Sequence, residues 1–255
     1  MGRRYVGQGV CAFLLLISLL GASIVIIPGP SVADQEGDYV YTTSGSPLVS
    51  TITRYIGAGG NITIPSALGG HPVVAIGSVD FNGTSAFSGC TSLVSVIIPG
   101  SVTSIGPGAF SHCTNMTSVT IPDNVTTIGD SAFSHSTSLA SVTIGRGVTS
   151  IGNGSFANCT NLTSIIFLAL SAPTGVGQDW IHGTDAGIRG HAFNSSDFPA
   201  PGGVWYGLTM GEALSEGDTI AGLITDSWVK TVVTEIAIIL VLLAALLLTR
   251  RKNAE

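Results

Sequence analysis

From Ala109 to Gly129 the chain reads AFSHCTNMTSVTIPDNVTTIG, and from Ala132 to Gly152 it reads AFSHSTSLASVTIGRGVTSIG. The second stretch repeats the first at a step of 23 residues. Phe87, Phe110, Phe133 and Phe156 keep that step. So do Leu93, Met116, Leu139 and Leu162, and so do Val96, Val119, Val142 and Ile165. Ile105-Gly106, Ile128-Gly129 and Ile151-Gly152 add a fourth register. A fixed period of this length is the mark of stacked repeats.

One unit explains why the units must stack. Val119 and Ile121 point one way and Thr120 the other, as in a strand. Pro122 ends that strand, because it cannot donate to a ladder. Val125, Ile128 and Phe133 return apolar groups to the same interior, and Gly129 is expected to allow a tight turn. A single unit cannot bury its own apolar face, whereas neighbours stacked about 4.8 Å apart can. The outward strand positions then form two rows. One is Ser95, Ser118, Ser141 and Ser164, and the other is Ile97, Thr120, Thr143 and Ile166.

The segments Ser101-Val102-Thr103-Ser104-Ile105-Gly106, Ala109-Phe110-Ser111 and Cys113-Thr114 closely resemble BspA-like leucine-rich repeats. Tyr55-Ile56-Gly57, Ile64-Pro65 and Gly70-His71-Pro72-Val73-Val74-Ala75-Ile76-Gly77 look like that family's entry repeat. The resemblance spans about residues 50–170. It implies a leucine-rich-repeat solenoid and a surface protein engaged in adhesion or partner binding. Three departures stand out: residues 78–84 are inserted, Ser136 replaces cysteine, and Gly145 replaces proline. The two replacements are expected to loosen the rung edges.

The flanks set the organisation. After Arg3 and Arg4, residues 10–27 carry no charge, and Ser31-Val32-Ala33 follows Pro28-Gly29-Pro30. Residues 1–33 therefore read as a signal peptide, with an uncleaved anchor as the alternative. Residues 34–60 form a lead-in or cap, 61–168 the repeats, 169–210 a C-terminal cap and 211–228 a stalk. Residues 229–249 read as a transmembrane helix, and 250–255 as a cytoplasmic tail. As a helix, 231–249 would rise about 28 Å, close to the hydrocarbon thickness. Trp228 suits the interface, and Arg250-Arg251-Lys252 mark the inner side. Residues 34–228 are then extracellular on a single-pass membrane protein. The short anchor, basic tail and dense glycosylation motifs suggest an archaeal or protist surface rather than a Gram-positive wall, whose sorting motif is missing.

Charge and chemistry narrow the function classes. Charged residues are only 9% of the chain and the net charge is −6. Between residues 34 and 228, Arg54, Arg146 and Arg189 face 13 acids, a net of −10. Nucleic-acid binding needs basic residues to neutralise phosphates, so no nucleic-acid partner is expected. No phosphate loop, nucleophile elbow or two-histidine helix motif occurs, and no catalytic residue or cofactor is assigned. A hydrolase within 169–210 is the weakest alternative. His112 and His135 lie one repeat apart without a third ligand, which reads as solvated turns rather than a metal site. Cys90, Cys113 and Cys159 read as small packed thiols. A Cys90–Cys113 disulfide stays open, since a secreted context permits one.

Asn61, Asn82, Asn115, Asn124, Asn153, Asn158, Asn161 and Asn194 each begin an N-x-S/T motif, and N-glycosylation is expected at several. Hydroxyl richness alone is the competing account. The leading expectation is a cell-surface binding or adhesion protein that presents its strand rows to a glycan or a protein. A glycosylated structural envelope component is the alternative.

Overall fold

The structure, a computed structural model, describes residues 33–77, 85–193 and 197–214. Among these, every regular element is a strand, and no helix is long and apolar enough to cross a membrane. The expected signal peptide (apart from Ala33), transmembrane helix and tail lie outside the described residues, as does the stalk beyond residue 214. The insertion 78–84 and the motifs at Asn82 and Asn194 also fall outside them. The described residues through Glu212 belong to one compact unit, and Ala213 and Leu214 belong to a second.

The first unit is a β-solenoid of about seven turns. Each regular rung has two strands and a turn segment. Ser118–Ile121 pairs in parallel with Ser141–Ile144, which pairs with Ser164–Phe167. On a second side Ser104–Ile105, Thr127–Ile128 and Ser150–Ile151 pair in parallel. Partners in both ladders are 23 residues apart, so the sequence period is the solenoid step.

A third row of hydrogen bonds runs along the phenylalanine segments. The amides of Phe87, Phe110 and Phe133 donate to the carbonyls of Ala109, Ala132 and Ser155 in the following rung, at 2.7 Å each. The other two sides donate to the preceding rung: Ala140 to Thr117, and Thr126 to Thr103. A rung is therefore tied on three sides. Its buried backbone groups find partners although much of it is not strand.

The interior is continuous. Phe87, Phe110, Phe133 and Phe156 are fully buried and their rings stack in sequence. Centroids are 4.9, 5.3 and 5.2 Å apart and the planes are within 10° of parallel. Val119, Ile121, Val142 and Ile144 fill the space behind the strands.

Gly129 works differently from the expectation of a tight turn. Its φ is not among the positive values. A Cβ there would lie 2.5 Å from the Pro107 nitrogen and 2.6 Å from the Gly106 carbonyl carbon. Gly152 meets Gly129 in the same way. These glycines let successive backbones approach. The left-handed positions are instead Gly89, His112, His135 and Asn158, together with Gly108, Ser131 and Gly154.

Both ends of the stack are covered by aromatic side chains. Residues Asp34–Glu36, Tyr39–Ser44 and Val49–Tyr55 form an antiparallel meander, and Val49–Tyr55 then pairs in parallel with His71–Ile76. From it Tyr55 stacks on Phe87 at 4.9 Å, and Tyr39 meets the same ring edge-on at 6.5 Å. At the other end, residues 169–193 lay down a further rung with a step of 25 residues. Gly175–Val176 pairs with Ser150–Ile151, and Arg189–His191 with Ser164–Ile166. The Phe156 amide donates to the Trp180 carbonyl, and the Trp180 indole meets Phe156 at 6.2 Å and 78°. Val204–Trp205 and Leu208–Met210 then close the sheet as a hairpin, with Trp205 against Trp180.

Candidate binding face

The strand side of the repeats is a six-stranded sheet running from Ser118–Ile121 to the hairpin at Val204–Met210. Leu93–Ile97 stands before Ser118–Ile121, joined by the Thr117 amide to the Val94 carbonyl at 3.4 Å, and pairs on its other side with Gly60–Thr63. Alternation places one residue of each pair inside. Val119, Val142 and Ile165 are buried, so the residues flanking them face out.

The structure brings both expected rows together. Ser118, Ser141 and Ser164 are register partners, and so are Thr120, Thr143 and Ile166. Ser118 and Thr120 are exposed, while Ser141, Thr143, Ser164 and Ile166 are half-buried by their neighbours. Ser95 and Ile97 extend the rows towards the N-terminal end, opposite Asn61 and Thr63. Ile97 is 52% exposed, the largest apolar exposure within the rows. The Ser95 hydroxyl donates to Asn61 Oδ1 at 2.9 Å.

The rows also run further than the 23-residue period indicates. Arg189 pairs with Ser164, and His191 with Ile166. The rows therefore pass from hydroxyls to a guanidinium and an imidazole before the closing hairpin, where Thr209 pairs with Arg189. Arg189 donates through Nη1 to the carbonyls of Gly187 and Ile188, and His191 Nδ1 lies 3.0 Å from the Glu212 carbonyl. No sequence period reveals these two residues, because the turn before them carries two extra residues. The only local signal is the alternation around Gly190, whose missing Cβ leaves room for Leu208 and Met210.

Other candidate groups serve packing. Cys90, Cys113 and Cys159 are free thiols. The Cys113 thiol donates to the Phe87 carbonyl at 3.3 Å, and Cys159 to the Phe133 carbonyl at 3.1 Å. Ser136 makes the same bond to the Phe110 carbonyl at 3.0 Å and accepts the Cys113 amide. Serine thus keeps the rung closed, contrary to the loosening expected of it. Gly145 also tightens its rung, since its amide donates to the Ile121 carbonyl at 3.0 Å where proline has no donor. Burial pushes the Cys113 and Cys159 thiols up to about 12. They stay protonated and poorly nucleophilic at neutral pH.

His112 and His135 stack face to face, with centroids 4.6 Å apart and planes 2° from parallel. Both are exposed and left-handed. Among the described residues no group of three His, Cys, Asp or Glu side chains could hold a metal. An open cavity of about 510 Å³ lies at the C-terminal end beside Asp179, His182, Asp185 and Tyr206. There Asp185 Oδ1 accepts the Gly187 amide and the Thr184 hydroxyl donates to the Ile181 carbonyl, so both serve the local turn. Of the glycosylation motifs within the described residues, Asn61, Asn115, Asn124, Asn153 and Asn161 are exposed, and Asn158 is half-buried.

A family model described as "BspA type Leucine rich repeat region" matches residues 81–174 in six copies. No curated protein sequence matches the chain. Among solved structures, a leucine-rich repeat protein of T. pallidum is 20% identical with a TM-score of 0.42, over 74% of this chain and 94% of that one. A leucine-rich cell surface protein from Faecalibacterium prausnitzii is 28% identical with a TM-score of 0.43, over 74% of this chain and 56% of that one. The pneumococcal vaccine antigen PcpA is 18% identical with a TM-score of 0.38, over 60% of this chain and 48% of that one. The chain thus spans about half the length of the last two.

Proposed function

We propose, from the premise that residues 81–174 are a BspA-type leucine-rich repeat region, that the chain is a cell-surface binding protein. It presents the strand face to a glycan or a protein, and it has no catalytic role. The observation that carries this reading is the pair of registered rows Ser118–Ser141–Ser164 and Thr120–Thr143–Ile166 on one side of the solenoid, with Ser95 and Ile97 on the strand before them. Solenoids bind with such extended faces. Hydroxyl groups interrupted by Ile97 and Ile166 suit a neutral partner. The acidic balance of the middle region disfavours nucleic acid and other polyanions. Arg189 and His191 give the C-terminal part of the face a basic contact.

The test is binding of the purified full-length chain to a glycan and surface-protein array. Ser118→Arg and Thr120→Glu, on exposed positions, should weaken a captured partner about tenfold or more, which is roughly 1.4 kcal/mol. An array without any binding partner would sink the proposal. A second reading, a glycosylated envelope component without a dedicated ligand, is favoured by the five exposed N-x-S/T asparagines among the described residues. It predicts ordered arrays in isolated envelopes and equal behaviour of the two face variants.

A further inference from the structure

We propose that Asn115 and Asn161 carry N-linked glycans and that Asn124, Asn153 and Asn158 do not. This rests on the surface reading above, because transfer requires the chain on the glycosylating side of a membrane. In the transfer, the asparagine Nδ2 attacks the anomeric carbon of a lipid-phosphate-activated glycan. An N–C bond forms, the C–O bond to the phosphate breaks, the lipid phosphate leaves with the electron pair, and Nδ2 loses one proton. The modified amide then keeps a single hydrogen and a bulky substituent. An asparagine whose Nδ2 the fold does not use takes the substituent without disturbing the native packing, whereas an Nδ2 that already faces a neighbouring rung brings the substituent into the space of that contact.

The six described motifs divide on that criterion. Asn124 Nδ2 donates to the Gly100 carbonyl of the preceding rung at 2.6 Å. Asn153 is held on both sides: its Oδ1 accepts the Gln178 amide at 2.8 Å and its Nδ2 lies 3.5 Å from both oxygens of Asp130. Asn158 is half-buried at a left-handed φ of 59°, with Nδ2 3.3 Å from His135 Nε2. Its Oδ1 lies 2.4 Å from where a Gly183 Cβ would stand. All three side chains tie neighbouring rungs together, and a glycan at any of them competes with that tie. Asn61 uses only Oδ1, for Ser95, and leaves Nδ2 free, so the same criterion permits a glycan there.

Asn115 and Asn161 are different. Both are exposed, and no hydrogen bond ties either side chain to the described residues. They share a register: Asn115 stands between buried Cys113 and Met116, and Asn161 between buried Cys159 and Leu162. The intervening rung has Ser138 at that place, so the two amides are two rungs apart. At about 4.8 Å per rung this is about 10 Å, which leaves room for two saccharide chains side by side. Both precede face strands, Ser118–Ile121 and Ser164–Phe167. Glycans there line the rim where the strands enter the face, next to the serine row, and leave the Thr120 and Thr143 row open to a partner.

The experiment is glycopeptide mass spectrometry on the full chain from its native membranes, with gel mobility of single Asn→Gln variants. Glycan on Asn115 and Asn161 in most molecules is expected, with loss of one mobility step in each of Asn115→Gln and Asn161→Gln. Asn124→Gln, Asn153→Gln and Asn158→Gln should migrate with the parent chain. Comparable occupancy at any of these three, or bare Asn115 and Asn161, overturns the inference. Site mapping on the unmutated chain decides the matter even if a variant fails to fold. Protease accessibility on intact cells separates the two failures. An accessible but unmodified chain sinks only the glycan assignment, and a protected, unmodified chain sinks the surface reading with it.

Discussion

Ser136 sits where the neighbouring rungs carry Cys113 and Cys159, and all three side chains donate to the carbonyl of the phenylalanine 26 residues earlier. The position asks for a small donor that fits a buried slot, and thiol or hydroxyl will serve. Removing the donor leaves the Phe110 carbonyl buried and unpaired, which costs about 1–3 kcal/mol. Ser136→Val should therefore lower stability by that amount in denaturant titration, while Ser136→Cys should stay within about 0.5 kcal/mol of the parent. Equal effects of the two changes would show that volume rather than the hydrogen bond decides. The thiol-or-hydroxyl choice at this register is visible in the sequence. The acceptor is not, because it belongs to the rung before.

At the scale of the rung, the stacked phenylalanines are the common element of the core. Phe133 touches a ring on each side, Phe110 and Phe156, and no solvent reaches it. Phe133→Ala should cost about 3–5 kcal/mol, the range for truncating a buried aromatic residue. In a solenoid each rung contacts only its neighbours, so the loss should be local. Hydrogen exchange should rise first in the rungs of Phe110 and Phe156, and the amides of Tyr41 and Ile52 should keep their protection. Uniform loss of protection along the chain would contradict this nearest-neighbour picture. The 23-residue step makes the row of rings legible in the sequence. The opposite sense of the hydrogen bonds beside it, towards the following rung, is set by backbone geometry that no residue pattern encodes.

For the whole unit, the ends decide whether the stack is soluble and where it stops. Trp180 covers Phe156, donates its indole N–H to the Tyr206 carbonyl at 2.9 Å, and is itself covered by Trp205. Trp205→Ala should expose the last rung and make the purified chain self-associate in sedimentation, since an open solenoid end is an unpaired edge. A monomeric Trp205→Ala chain would show that Trp180 alone suffices as a cover.

The sequence by itself determined the repeat, its step, the interior and exterior positions, and the two rows of the face. All of these follow from one local period combined with the alternation of strands. It also marked residues 169–210 as different, through their aromatic residues and lost period. Only the tertiary structure decided that 169–193 adds one more rung at a 25-residue step. That step carries Arg189 and His191 onto the face, and it sets Trp180 at the register of Ala132 and Ser155, one residue before the phenylalanine position, with its indole against Phe156. The reason is physical. Strand pairing responds to backbone position after the turn has closed, so two extra residues in a turn hide a register that the hydrogen bonds still keep.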